Sequence, residues 1–107
     1  MNNLGSLEEE ILLIAMTLPD AYGVSVAQAY KRHTRKSISI PAIHTVLHRL
    51  EEKGLLRSGL GASSPERGGR RKRHYEATAY AVNVIKEIRK GRIKLWSRIP
   101  ELNLNQG

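Results

Sequence analysis

The sequence predicts an α+β fold that is mostly helical, with three helices, a two-stranded hairpin and a fourth helix. Three observations predict it. Apolar residues recur at spacings of three and four in separate stretches before Gly54, as on one face of a helix. The pattern then becomes extended around a segment rich in glycine, serine and proline, and the helical spacing returns from Ala79. The 107 residues suffice for one domain.

The first helix is predicted to begin at Ser6, because Ser6 and Glu9 have the spacing of a capping box. The carboxylates of residues 8–10 suit the positive end of a helix. Pro19 and Asp20 are expected to end it. Its apolar face is predicted to contain Leu7, Ile11, Leu12, Ile14, Ala15 and Leu18.

A second, shorter helix is predicted from about Val24 to His33. Its packing residues are predicted to be Val24, Val26, Ala27, Ala29 and Tyr30. Four cations follow near its end: Lys31, Arg32, Arg35 and Lys36. They either complement the helix dipole without a partner or reach nucleic-acid phosphates, and the sequence leaves both interpretations open.

The third helix organises the chain and is predicted over Ser39–Lys53. Ser39 is a typical N-cap, Pro41 suits the first turn, and Gly54 follows as a stop. One face is predicted to be buried, with Ile43, Val46, Leu47 and Leu50. The other face is predicted to be polar but not acidic, with Ala42, His44, Thr45, His48 and Arg49. Such a helix can lie in a DNA groove.

The hairpin is predicted over Ser58–Thr78. An extended segment begins at residues 55–57, and Lys72–Thr78 is its partner strand. The intervening Gly61–Arg71 is predicted to be an irregular loop. Cations concentrate here, at Arg67, Arg70, Arg71, Lys72 and Arg73. A charge run of this kind is often only a solvated face. Here it follows the third helix, the candidate for DNA recognition, where it suits a contact with the DNA phosphate backbone.

The fourth helix is predicted from Ala79, and Pro100 is expected to end it. Its interrupted apolar stripe contains Ala81, Val84, Ile85, Ile88, Leu95 and Ile99. Gly91 lies in the middle, and the sequence leaves open whether the helix is continuous there. The last residues are expected to fray.

Composition narrows the function classes. The net charge of +8 and the pI near 10.2 favour a polyanionic partner, with nucleic acid the first candidate. The chain has no cysteine, no basic-then-apolar leader and no apolar run of membrane-spanning length. We therefore expect a cytoplasmic, nucleoid-associated protein. His44 and His48 have the spacing of a metal pair but lack further ligands, so no metal or other cofactor is predicted. No acid–base pair or phosphate loop is apparent, and no enzymatic activity is expected.

The ordered motifs resemble those of the PadR-like family of bacterial transcriptional regulators, over roughly residues 4–99. The matching segments are L-G-S-L-E-E-E-I-L-L-I-A from Leu4, A-Y-G-V-S-V from Ala21, S-I-P-A-I-H-T-V-L-H-R-L-E-E-K-G-L-L from Ser39 and G-G-R-R-K-R-H-Y-E-A-T from Gly68. The resemblance implies a winged helix-turn-helix fold with a three-helix core and a two-stranded wing. It also implies a homodimer formed through the C-terminal helix, and repression of transcription that a small molecule often relieves.

Residues 1–78 are thus expected to form the DNA-binding domain, residues 79–100 a dimerisation helix and residues 101–107 a disordered tail. The recognition helix would bind DNA through Ser39, Pro41, Ala42, His44, Thr45, His48 and Arg49. The wing and backbone contacts would come from Lys36, Arg67, Arg70, Arg71, Lys72 and Arg73. The dimer interface would contain Ile85, Ile88, Leu95, Trp96 and Ile99. Trp96 either anchors that interface or lines a site for a small aromatic effector.

The main hypothesis is a sequence-specific, homodimeric repressor that binds double-stranded DNA. Ile43-His44-Thr45 stands where the family usually has Leu-Tyr-Pro, and this departure keeps a second hypothesis open. The second hypothesis is a module that binds nucleic acid without sequence preference, binds RNA, or binds another protein through the same fold.

Overall fold

A computed structural model describes residues 4–63 and 71–102, with the backbone alone described at residues 62, 63 and 71. The helices are α1 (Ser6–Thr17), α2 (Gly23–Thr34), α3 (Ile40–Glu52) and α4 (Ala79–Trp96), and the strands are β1 (Leu56–Ser63) and β2 (Arg71–Ala77). A 3-10 turn follows at Pro100–Leu102. The predicted α+β class and the order of its elements are confirmed. The predicted tail lies mostly outside the described residues.

The start of α1 differs from the predicted capping box. The N-cap is Gly5, whose backbone N–H donates a 2.8 Å hydrogen bond to Oε1 of Glu8. The prediction that Ser6 and Glu9 form this box is wrong, because the helix begins one residue earlier than that spacing assumes. Glu9 instead accepts a 2.7 Å hydrogen bond from Nη2 of Arg92 on α4.

A single hydrophobic core joins the first three helices to the base of the hairpin. The predicted inner face of α3 is confirmed, since all four of its residues are buried. Leu7 on α1 and Val24 on α2 were predicted to pack inside but are each 39% exposed. The fully buried large side chains are Ile11, Leu12, Val26, Ile43, Leu47, Leu50 and Leu55.

Both predicted ends of α3 are confirmed. Oγ of Ser39 accepts a 3.2 Å hydrogen bond from the N–H of Ala42, and Pro41 lies in the first turn. At the other end Gly54 has a φ of 77°, a left-handed conformation that glycine adopts at low cost. This turn redirects the chain from α3 into β1.

The hairpin is longer than predicted. β1 and β2 are antiparallel, with Arg57 opposite Glu76 and Leu60 opposite Arg73, and the register shifts between Leu60 and Ser63. Residues 61–63 and 71, predicted to be irregular, belong to the strands, because pairing continues past the register shift to Ser63 opposite Arg71. The other edge of β2 bonds to the α1–α2 connection, where the N–H of Tyr75 donates to the Ala21 carbonyl at 2.8 Å.

Helix α4 starts at the hairpin and runs unbroken through Gly91 to Trp96. Its N-cap is Thr78, whose Oγ1 accepts from the N–H of Ala81 at 3.1 Å and donates to the Gly54 carbonyl at 2.7 Å. The helix ends before Pro100, which instead begins the 3-10 turn. Within the described ranges, no helix has the length and apolar character needed to cross a bilayer.

Candidate nucleic-acid interface

The outer face of α3 presents a row of polar side chains to solvent. Of the residues predicted to bind DNA through this helix, Ala42 is half-buried and the other six are exposed. The burial of the inner face fixes the rotation of the helix about its axis. At 3.6 residues per turn, Pro41, Thr45, His48 and Glu52 lie nearest the centre of the outer face, while His44 and Arg49 lie on opposite flanks.

The outer face also carries an acidic group. Oε2 of Glu52 lies 3.6 Å from Nε2 of His48, one turn away, and both side chains are mostly exposed. The prediction that this face is not acidic is therefore wrong. Oγ1 of Thr45 donates a 3.0 Å hydrogen bond to the Pro41 carbonyl, which leaves the lone pairs of that hydroxyl available to a donor.

His44 lies against the first residue of α2. A methyl group built on Gly23 would lie 2.8 Å from both Cε1 and Nε2 of His44, much closer than atoms approach in proteins. The imidazole thus occupies the space that any other side chain at residue 23 would need. His44 is nevertheless exposed on its other side.

The charge of Arg49 acts on Glu8 of α1. Within residues 4–63 and 71–102, no ion pair joins Arg49 to Glu51 or Glu52. Nζ of Lys53 lies 2.6 Å from Oε1 of Glu8. The hydrogen bond from Lys53 lowers the pKa of Glu8, and the Gly5 N–H and the charges of Lys53 and Arg49 lower it further against an opposing desolvation effect. These cations hold the end of α3 against the start of α1.

One face of the hairpin is bonded to α3 through Ser58. Its hydroxyl donates a 2.6 Å hydrogen bond to Oε2 of Glu51 and accepts a 2.8 Å hydrogen bond from Nη1 of Arg73. A hydroxyl can donate and accept at once, so this group links α3 to both strands.

The other face of the hairpin is bonded to the α1–α2 connection. The Asp20 carboxylate contacts Nδ1 of His74 and lies 3.8 Å from Nζ of Lys72. The same ammonium lies 4.0 Å from the centroid of the Tyr22 ring, a cation–π geometry. His74 also covers Gly61, where an added Cβ would lie 2.5 Å from Nε2. We call Asp20, Tyr22, Lys72 and His74 the wing anchor.

The cations predicted for the wing fall into two groups. Lys72 lies beside Asp20 and Arg73 bonds to Ser58, and the Lys72 side chain is only 25% exposed. Arg67 and Arg70 lie outside the described residues, as does the side chain of Arg71. Lys36, just after α2, is exposed next to the start of α3.

Of the residues predicted for the dimer interface, Ile85, Ile88, Leu95 and Trp96 follow one face of α4, whereas Ile99 lies beyond the end of the helix at Trp96. Ile85 and Ile88 are half-buried, and Ile85 packs against the core. Farther along the same face Leu95 is 64% exposed and Trp96 55%, and Ile99, past the end of the helix, is 40% exposed. The stripe therefore begins on the body of the protein and continues as an apolar surface that the described residues leave exposed.

An open groove of about 870 Å³ lies between α1 and α2. Apolar side chains such as Leu7, Leu13 and Tyr30 line it together with the charged Glu10 and Arg32. Leu13 is 40% exposed there, so the groove is a second apolar surface. In the part of the chain that the structure describes, no three His, Asp or Glu side chains are grouped so as to hold a metal ion.

Sequence reasoning missed the contacts that position the hairpin. Asp20 was interpreted only as a helix stop, and Glu51 and Ser58 carried no pattern of their own. The alternation along Lys72–Glu76 gave one usable signal, because it places Lys72 and His74 on one face and Arg73 and Tyr75 on the other.

No protein-family model matches the chain, and no curated protein matches it. Solved structures do. A PadR-like transcriptional regulator from Bacillus cereus is 25% identical, with 94% of this chain and 92% of that chain covered and a TM-score of 0.69. A PadR-like transcription factor from Bacteroides fragilis is 21% identical over 90% and 88% of the two chains, with a TM-score of 0.74. RosR from H. salinarum is 12% identical, with 97% of this chain and 87% of that chain covered and a TM-score of 0.74. The resemblance drawn from the sequence is confirmed in the fold.

Proposed function

Because this chain shares the winged-helix fold of PadR-like transcriptional regulators, we propose that it is a DNA-binding regulator of transcription. Each subunit would place α3 in a major groove and the hairpin against the flanking phosphate backbone. The observation that carries the proposal is the division of α3 into a fully buried inner face and an exposed outer face of hydrogen-bonding side chains.

Base contacts are assigned to the centre of that outer face. Thr45 offers a hydroxyl acceptor, and His48 offers imidazole nitrogens one turn further along. The Glu52 carboxylate beside His48 would hold the imidazole in one orientation. Arg49 would reach a base edge or a phosphate from its flank, since arginine is the commonest partner of guanine.

Phosphate contacts are assigned to the cations of the segment that joins the two strands. These are Arg67, Arg70 and Arg71, because Lys72 lies beside Asp20 and Arg73 bonds to Ser58. Lys36 would add a contact next to the start of α3. The net charge of +8 favours this electrostatic part of binding.

The regulator is proposed to be a homodimer joined through α4. Leu95, Trp96 and Ile99 leave an apolar surface at the end of that helix, and a second copy related by two-fold symmetry would cover it. Such a dimer would match a pseudo-palindromic operator with half-sites about one or two helical turns apart. Repression is the proposed outcome, and Trp96 is the proposed contact for a flat aromatic effector.

Fluorescence anisotropy tests the proposal. The duplex upstream of the protein's own gene, a scrambled duplex and a sequence-matched RNA duplex would be titrated between about 50 and 200 mM salt. A preference of about a thousandfold or more for one DNA duplex supports a specific regulator. Equal and steeply salt-dependent binding to both DNA duplexes indicates architectural binding. Preference for RNA, or no binding to any duplex, contradicts the proposal.

A further inference from the structure

We propose that Gly23, which lies outside the recognition helix, determines how the recognition helix uses His44. In this inference His44 contacts the DNA backbone rather than a base, and Gly23 allows it to do so. The inference deepens the proposed function and rests on it.

The first argument is the reason for glycine at residue 23. Gly23 is the first residue of α2, and Gly54 is the one described glycine with a positive φ. The backbone at Gly23 therefore suits any residue, and helices favour alanine over glycine. The three atoms nearest to a Cβ built there all belong to the His44 imidazole, at 2.8, 2.8 and 3.6 Å. The absence of a side chain serves the placement of that ring.

The second argument is the direction in which the ring lies. The buried residues of α3 put Thr45 and His48 at the centre of the outer face and His44 on the flank toward α2. In helix-turn-helix complexes the helix before the recognition helix crosses the DNA backbone. An imidazole packed on the first turn of α2 is therefore placed beside a phosphate, to which either ring nitrogen can donate when it carries a proton.

The third argument is that the His44 ring can rotate into solvent-accessible space. His44 is exposed, so a methyl group at residue 23 can displace it by rotation about the side-chain torsions without disturbing the core. Rotation away from α2 turns the imidazole toward the centre of the outer face, where it would meet base edges. Gly23→Ala should thus convert a backbone contact into a base contact.

The test uses four full-length proteins: wild type, Gly23→Ala, His44→Ala and the double variant. Wild type first selects duplexes from a randomised library, and all four are then titrated on the preferred duplex and on each of its single-base variants. His44→Ala should weaken binding to every duplex by the same factor, about threefold to tenfold, as expected for one lost hydrogen bond. Gly23→Ala should change the base preference at one or two positions by at least about threefold, and the double variant should behave like His44→Ala.

Three outcomes would overturn the inference. A changed base preference in His44→Ala would mean that His44 reads bases in its resting position. An effect of Gly23→Ala that persists in the double variant would mean that residue 23 acts independently of His44. The nuclear Overhauser effect between His44 Hε1 and the Gly23 Hα protons is measured in the wild-type protein, so it does not depend on whether Gly23→Ala folds. Its absence would show that the imidazole does not pack on Gly23. If the wild-type protein selects no duplex, the proposed function is contradicted. If it selects a duplex and one of these three outcomes is observed, only the inference about Gly23 and His44 is contradicted.

Discussion

The hydroxyl of Ser58 on β1 donates a 2.6 Å hydrogen bond to the carboxylate of Glu51 at the end of α3. The same oxygen accepts from Arg73 on β2 at 2.8 Å, so one side chain links the recognition helix to both strands of the wing. The Gly54 turn lies between Glu51 and Ser58, and the side-chain contact spans that turn. The angle between recognition helix and wing is therefore held by more than the backbone.

Ser58→Ala should loosen this link. We expect about 1 kcal/mol of lost stability, as for one hydrogen bond, and weaker binding to a selected duplex because the wing is less well positioned. Thermal unfolding and anisotropy measure the two effects. Ser58→Thr keeps the hydroxyl and should restore affinity, while Thr17→Ala removes a hydroxyl bonded to the Ile14 carbonyl at the far end of α1 and should leave affinity unchanged. Full affinity in Ser58→Ala would contradict the positioning role.

Replacing Arg70 and Arg71 together with alanine should weaken DNA binding and flatten its salt dependence. Each phosphate contact that is lost lowers the slope of log K against log salt by about 0.9. The control is the pair Arg89→Ala and Lys90→Ala on α4, which removes the same charge from an exposed part of the molecule outside the hairpin. Equal slopes for the two double variants would show that only net charge matters and that the wing makes no specific backbone contact.

Leu95→Glu should convert the proposed dimer into a monomer. The leucine is 64% exposed on the uncovered end of the α4 stripe, and a carboxylate there would be desolvated in a dimer interface. Light scattering after size exclusion measures the mass. Asn83→Glu adds the same charge to the exposed opposite face of α4 and should keep the dimer. A wild-type protein that is already monomeric would contradict the proposed assembly.

The pair of Glu8 and Lys53 should make stability depend on pH. The pKa of Glu8 is lowered in the folded protein, chiefly by the hydrogen bond from Lys53. The stabilisation is therefore fully present above the ordinary glutamate value of about 4.5 and is lost as the pH falls through the lowered pKa. Glu8→Gln should lower the free energy of unfolding by about 1 kcal/mol at pH 7, and by progressively less as the pH falls. Denaturant melts across pH test this, with the exposed Glu87→Gln as a control whose cost should be small at every pH.

Asp20→Asn should destabilise the wing anchor. The substitution removes the negative charge that faces His74 and Lys72. Because Asp20 is half exposed, we expect the free energy of unfolding to fall by only about 1 kcal/mol. Hydrogen exchange should become faster at the amides of residues 72–76, while protection in α1 stays the same. Glu101→Gln removes one charge from the 3-10 turn and serves as the control. Unchanged exchange in β2 would mean that the backbone bridge from Tyr75 to Ala21 suffices.

The sequence by itself determined the order of elements, the inner face of α3 and its two ends. These features depend on local rules: apolar spacing, the Ser39 cap, Pro41 in the first turn and the Gly54 stop. The same rules misplaced the start of α1 by one residue, because Ser6 and Gly5 are both acceptable caps and only the bond to Glu8 distinguishes them. Periodicity also predicts that Leu7 and Val24 are buried, but both are partly exposed. Periodicity gives the direction of an apolar face, whereas the width of the face that other elements cover depends on the tertiary packing.

Only the tertiary structure decided how the candidate interface is held together. Asp20 with His74, Glu51 with Ser58 and His44 with Gly23 are pairs from different elements, and no local pattern relates them. The structure also decided that α4 is continuous through Gly91 and that, among the described residues, its apolar stripe is covered in the first half and exposed in the second. The physical reason is that local sequence fixes backbone preference and the direction of each face. Burial and side-chain pairing depend on which elements the folded chain brings together.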